Sequence, residues 1–128
     1  MIRKALITLT FLLPSAAFSE GTDWGADCEN AMTQRDMNLC AYEAWMRADE
    51  DLNDIYGWAM GVAKGRSEAT AEALRTAQRA WIPYRDAACE AEGIMFEGGT
   101  IQPLILFTCK EHLTRQRTEE MRAVYEMN

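Results

Sequence analysis

The sequence predicts an all-α fold, a small antiparallel three-helix assembly with two disulfides. Three observations lead there. Apolar residues recur every three or four positions along three long stretches, no stretch alternates with a period of two, and the four Cys fall where helix ends would bring them together. With 128 residues, 48% apolar and 26% charged, the chain suffices for one ordinary domain and is too short for two.

Residues 1–19 read as a secretory signal peptide and are set aside first. Met1-Ile2-Arg3-Lys4 is a short cationic start and Ala5 to Leu13 is apolar. Ala17-Phe18-Ser19 then puts small side chains three residues and one residue before a cut ahead of Glu20. The apolar run is too short to span a bilayer, and no Cys follows to accept a lipid. The expected organisation is therefore a signal, 1–19, and a periplasmic or secreted helical domain, 20–128. Cleavage removes two of the 13 basic residues and none of the 20 acidic ones, which leaves nine negative charges in excess. Such a surface argues against nucleic acid and anionic membranes, which select clustered Lys and Arg, and suits a basic protein partner.

Residues 20–32 mix Gly, Asp and Asn around Trp24 and Cys28 and read as an irregular lead-in. The first helix is expected from Thr33 to Ala63. Thr33-Gln34-Arg35-Asp36 has the capping-box form. Met37, Ala41, Ala44, Ala48, Leu52, Ile55, Ala59 and Val62 follow at a mean step of about 3.6 residues. Gly65 is the expected terminator. A second helix opens at Ser67 or Thr70, with Leu74, Ala77, Trp81, Tyr84 and Ala88 on its inner face; Pro83 should kink it near Arg79. Glu97-Gly98-Gly99-Thr100 forms the next break, and Pro103 suits the first turn of a third helix. That helix should reach about Tyr125 and bury Leu104, Ile105, Cys109, Leu113, Met121 and Val124.

Four Cys allow three pairings. Cys89 and Cys109 stand nearly equidistant from Gly98-Gly99, so an antiparallel hairpin sets them level. Cys28 precedes the first helix and Cys40 lies two turns into it, so the lead-in can fold back on it. Cys28–Cys40 and Cys89–Cys109 are the expected bonds. Cys40 and Cys89 are also nearly level across Gly65, which makes a four-thiolate zinc site the competitor; it lacks paired C-x-x-C spacing.

Little in the chain points to chemistry. His112 is the only histidine, which excludes a multi-His metal site, and it is expected on a helix surface. Asp49-Glu50-Asp51-Leu52-Asn53-Asp54 begins like a calcium loop but has Asp54 where Gly belongs and Met60 where Glu belongs, so it reads as a solvated helix face. Core or core-edge packing is expected of Trp45, Trp58 and Trp81, with a partly buried Arg–Asp pairing among Arg79, Arg85 and Asp86. No phosphate loop or nucleophile elbow occurs. The expectation is no catalytic residue, no cofactor and no metal.

Several motifs together resemble a known family. They are Thr33-Gln34, Met37-Asn38-x-Cys40-Ala41 and Ala48-Asp49-x-x-Leu52-Asn53-x-x-Tyr56 in the first half. Ala77-Gln78-Arg79-Ala80-Trp81-Ile82, Tyr84-Arg85-Asp86-Ala87-x-Cys89, Gly98-Gly99-Thr100, Cys109 and Thr114-x-x-Arg117 follow in the second. From Cys28 to Arg117 the chain resembles the LprI-like family, exported bacterial proteins named for a mycobacterial lysozyme inhibitor. It departs from the lipidated namesake in lacking a lipid-accepting Cys, and Pro83 is unexpected in its block. The resemblance implies a helical, disulfide-containing envelope protein that binds and inhibits a lysozyme, with a structural or adaptor domain as the alternative. C-type lysozymes are basic and hold their catalytic carboxylates in a cleft. Gly98, Gly99 and Thr100 are then the candidate occluding turn, and Asp49, Asp51 and Asp54 the candidate acidic rim. Gln78, Arg79, Trp81, Arg85 and Asp86 are expected to form the structural motif.

Overall fold

The computed structural model describes residues 26–127, so the signal reading of residues 1–19 lies outside the described residues. Three helices follow one another, α1 (Gln34–Arg66), α2 (Glu68–Ile94) and α3 (Gln102–Glu126), with no strand among the described residues. Thr33 caps α1 as expected: its backbone is extended and its hydroxyl accepts from the Asp36 N–H at 3.1 Å. Asp36 in the first turn and Lys64 and Arg66 in the last suit the helix dipole.

The joint between α1 and α2 is a single residue. Ser67 has φ −170° and ψ 158°, donates its N–H to the Ala63 carbonyl at 3.1 Å, and accepts from the Thr70 N–H at 3.0 Å. It ends one helix and caps the next. Gly65, the expected terminator, therefore lies inside α1. Helix α2 runs through Pro83 without a break. Pro83 is exposed and the Arg79 carbonyl, deprived of its donor, lies on an exposed residue that water can reach.

The arrangement is up-down-up. At one end Asn38 Nδ2 donates to the Thr100 carbonyl at 2.8 Å, and further along Arg115 meets Asp51 at 3.5 Å, so α1 and α3 run parallel. Their contact is the most extensive in the bundle. The apolar core, formed by Leu52, Ala59, Met60, Ala63, Ala71, Leu74 and Met121, sits toward the Ser67 end, with Ile55, Tyr56, Trp81 and Tyr125 packed against it. Alanines at five buried positions (Ala41, Ala48, Ala59, Ala63 and Ala71) let the helix backbones approach closely.

Two expected faces are displaced. On α2, Ala77 and Tyr84 are exposed, whereas Gln78 and Arg85 are buried. The inward stripe runs Ala71, Leu74, Gln78, Arg85, Cys89, Gly93, and its polar members are satisfied by hydrogen bonds inside the bundle. On α3, Val124 is 52% exposed, and the buried positions beside Cys109 and Met121 are Thr114 and Thr118. The Thr118 hydroxyl donates back to the Thr114 carbonyl at 3.1 Å, which satisfies it without leaving the helix.

Both expected disulfides form. Cys28–Cys40 ties the lead-in to α1, and Cys89–Cys109 joins α2 to α3. No thiol is left for zinc among these four. Beside Cys28, the Asn30 amide and then the Glu29 N–H hydrogen-bond the Asp27 carboxylate and hold its pKa below the ordinary value. A depressed carboxylate favours the folded turn above the unfolded-state pKa, and that contribution fades as pH falls through the folded value. Replacing Cys89 and Cys109 together by Ala should lower stability by about 3 kcal/mol, given a loop spanning a separation of 20 residues. Urea unfolding followed by circular dichroism checks this; an unchanged midpoint would mean that packing alone holds α2 against α3.

Candidate functional site

The centre of the bundle is polar. Arg85 on α2 stands level with Asp49 on α1 across the Ser67 joint and is only 6% exposed. Its Nη1 donates to Asp49 Oδ1 at 3.0 Å and to the Thr114 hydroxyl on α3 at 3.4 Å, and its Nε donates to Asp86 Oδ1 at 3.0 Å. The guanidinium carbon lies 5.5 Å from the ring centre of Trp45 and 5.3 Å from that of Trp81. The cation is thus held between two indoles, whose π faces favour it. Lys110 completes the group, 4.6 Å over the Trp45 ring and 3.5 Å from Asp86. Below it, Arg117 donates to Gln78 at 3.1 Å and links α3 to α2.

This cluster balances two cations with two carboxylates and joins all three helices through Arg85, Asp49, Asp86, Thr114 and Lys110. The expected Arg–Asp pairing is there, carried by Arg85 and Asp86 and extended to Asp49. Arg79 is exposed and takes no part in it. Trp45 and Trp81 are half-buried, Trp58 lies at the edge with 41% exposure, and His112 is on the surface. Among the described residues no group of three His, Cys, Asp or Glu could hold a metal ion.

The Gly98–Thr100 segment closes the other end of α2. Successive N–H groups of Met95, Phe96, Glu97 and Gly99 each donate to the carbonyl three residues earlier, at 2.9–3.3 Å. Gly98 has φ +79°, where a Cβ is strained, and a Cβ on Gly99 would meet the Phe96 carbonyl at 3.1 Å. The two glycines are what the turn needs. Ahead of them Ile94, Met95 and Phe96 are 56%, 72% and 41% exposed. Beside the turn an open groove of about 660 Å³ runs between the start of α1 and the start of α3, walled by Leu39, Tyr42, Pro103 and Phe107. Phe107 stacks on Trp45 at 5.7 Å, which connects this wall to the Arg85 cluster.

The structure does not bring the expected contact residues together. Asp49 is half-buried and engaged by Arg85. Asp51 and Asp54 line a separate groove between α1 and α3, facing Arg115 and Arg122, with Asp51 3.5 Å from Arg115. Asn38, which holds Thr100, precedes Asp51 by about 20 Å of helix. The acidity lies elsewhere. Residues 26–49 and 83–112, the half that contains the turn, hold ten carboxylates and four cationic side chains, whereas residues 50–82 and 113–127 hold eight and seven. Glu90, Glu92 and Glu97 stand exposed around the turn. Sequence reasoning passed over them and over Ile94-Met95-Phe96, although three apolar residues directly before Glu-Gly-Gly have no helix left in which to be buried.

Comparison with known proteins identifies relatives. The family model described as "Lysozyme inhibitor LprI" matches residues 26–121, which contain the Arg85 cluster and the turn. An uncharacterised protein of Rhizobium meliloti (strain 1021) is 33% identical over 135 residues, covering 98% of this chain and 97% of its own. No solved structure matches the chain.

The two-indole sandwich predicts that Arg85→Lys is not conservative, because an ammonium cannot stack or fork as a guanidinium does. Arg85→Lys should cost about 2 kcal/mol and Arg85→Ala about 3 kcal/mol, toward the low end for a broken buried pair since both carboxylates keep some water. Denaturant titration checks both. Wild-type stability in Arg85→Lys would show that charge alone matters there.

Proposed function

Because the chain belongs to the lysozyme inhibitor LprI family, we propose that it is an exported protein that binds lysozyme and blocks it without doing chemistry itself. The match of residues 26–121 to that family carries the reading. Glycoside hydrolysis of this kind uses two carboxyl groups flanking the scissile bond in a cleft, so anything seated in the cleft excludes the glycan. A C-type lysozyme is basic. An acidic protein is drawn to it over several ångströms by long-range attraction, and the acid-rich half of this bundle, which bears the turn, is the half suited to such a partner.

The Gly98-Gly99-Thr100 turn is the proposed occluding element, with its shape kept by the hydrogen bonds described above. Export fits the two disulfides, which persist in oxidising compartments. Removal of the leader near Ser19/Glu20 belongs to the same proposal.

The test is lysozyme-driven lysis of a bacterial cell-wall suspension, titrated with the oxidised protein. Protection should reach completion near one inhibitor per enzyme and weaken as salt rises to about 0.15 M, where charges are screened beyond about 8 Å. Full lysis in the presence of excess folded protein would overturn the reading.

A further inference from the structure

Three features of the turn end bear on what it can do. The first is the exposed apolar run Ile94-Met95-Phe96. Single exposed apolar side chains are ordinary, but here three consecutive ones stand at a chain reversal, with Met95 72% exposed. The second is rigidity. Four N–H groups of the segment are bonded to carbonyls three residues back, Asn38 holds the Thr100 carbonyl, and Cys89–Cys109 clamps the two helices behind it.

The third is charge in an unfavourable place. The last turns of α2 carry Glu90 and Glu92, Glu97 follows in the reversal, and the last turn holds no basic residue. Carboxylates at a helix C-terminus oppose the negative end of the helix dipole. Helix α1 does the reverse, placing Asp36 at its start and Lys64 and Arg66 at its end, whereas α3, like α2, has no basic residue in its last turn. Carboxylates that oppose the local helix dipole gain nothing from the helix they sit on and are free to act on a partner outside it.

We propose that Ile94, Met95 and Phe96 form a preformed apolar tip that enters the substrate cleft of a cationic lysozyme, with Glu90, Glu92 and Glu97 as the acidic collar facing the basic rim. The proposal rests on the inhibitor reading and deepens it by assigning the contact. The collar supplies complementarity to a basic partner and hastens encounter; the tip supplies dry contact and slows release. Rigidity keeps the cost of ordering low, since the tip is already in its bound shape. The glycines then serve as the bend that presents the tip, and the Asp51–Asp54 groove lies outside the interface.

Inhibition constants and association rates against a basic C-type lysozyme provide the test, with circular dichroism confirming helix content for each variant. Met95→Ser with Phe96→Ser should weaken inhibition about 100-fold and leave its salt dependence intact. Met95→Ser alone, at the most exposed position, should weaken it about tenfold without touching the fold. Glu92→Gln with Glu97→Gln should slow association and flatten the salt dependence. Asp51→Asn with Asp54→Asn should stay within about twofold of wild type. Wild-type inhibition by both apolar variants, or its loss in the Asp51/Asp54 variant, would overturn the tip while leaving the protein an inhibitor. A wild-type protein that fails to inhibit would overturn the lysozyme reading itself, and with it this assignment.

Discussion

A guanidinium held between two indoles requires all three helices to meet at one level. Trp45 and Asp49 come from α1, Trp81 and Asp86 from α2, and Thr114 and Lys110 from α3, and each touches Arg85 or its immediate partners. Burying a cation is costly unless its donors are engaged, so the cluster forms only when the register of every helix is right. Apolar side chains do not impose this condition, because they tolerate sliding by a turn. Thr114, wholly buried, admits the guanidinium where a larger side chain would push α3 away. With the register set at this level, Cys89 meets Cys109 and Asn38 meets Thr100 as consequences.

The bundle is held differently on either side of Arg85. Toward Ser67 the helices share an apolar core; toward the turn Cys89–Cys109 joins α2 to α3, Cys28–Cys40 ties the lead-in to α1, and the Tyr42, Trp45 and Phe107 rings pack α1 against α3. A chain of this size with alanine at so many inward positions buries limited apolar area, and cross-links make up the difference by restricting the unfolded chain. The division has a further effect. Since covalent bonds hold the turn end, its apolar residues are released from core duty and can stand in solvent without loosening the helices behind them.

Much of this was readable in the sequence where local chemistry decides. The Thr33 cap, the three helical periods, Pro103 at the start of α3 and the two cysteine pairs each follow from spacing and side-chain type. The misreadings share one cause. Apolar periodicity drifts off the buried stripe wherever that stripe is polar: Ala77 and Tyr84 are exposed where Gln78 is buried, Val124 is exposed where Thr114 and Thr118 are buried, and Arg85 is legible only as a member of a partly buried Arg–Asp pairing. Their burial depends on partners in other helices, which periodicity cannot see. The engagement of Asp49 and Asp51 by Arg85 and Arg115 was hidden for a related reason: a carboxylate looks the same in sequence whether it faces solvent or an arginine from another helix.

Charge tells the same story at a larger scale. The chain's net charge of −7 describes an acidic protein, but a uniform coat of carboxylates would bring a cationic partner to every face alike. Folding sorts the charges. The Ser67 half nearly balances its ions, several of them as neighbouring pairs such as Arg75 with Glu72 and Arg122 with Glu119. Almost all of the excess falls on the half that bears the turn. Pairing within a helix turn neutralises at short range, so within about a Debye length the unpaired excess of the turn half acts on a partner more strongly than the nearly balanced far half. A cationic surface near this molecule is therefore attracted more strongly to the turn half than to the Ser67 half, and Ile94, Met95 and Phe96 stand exposed on that half.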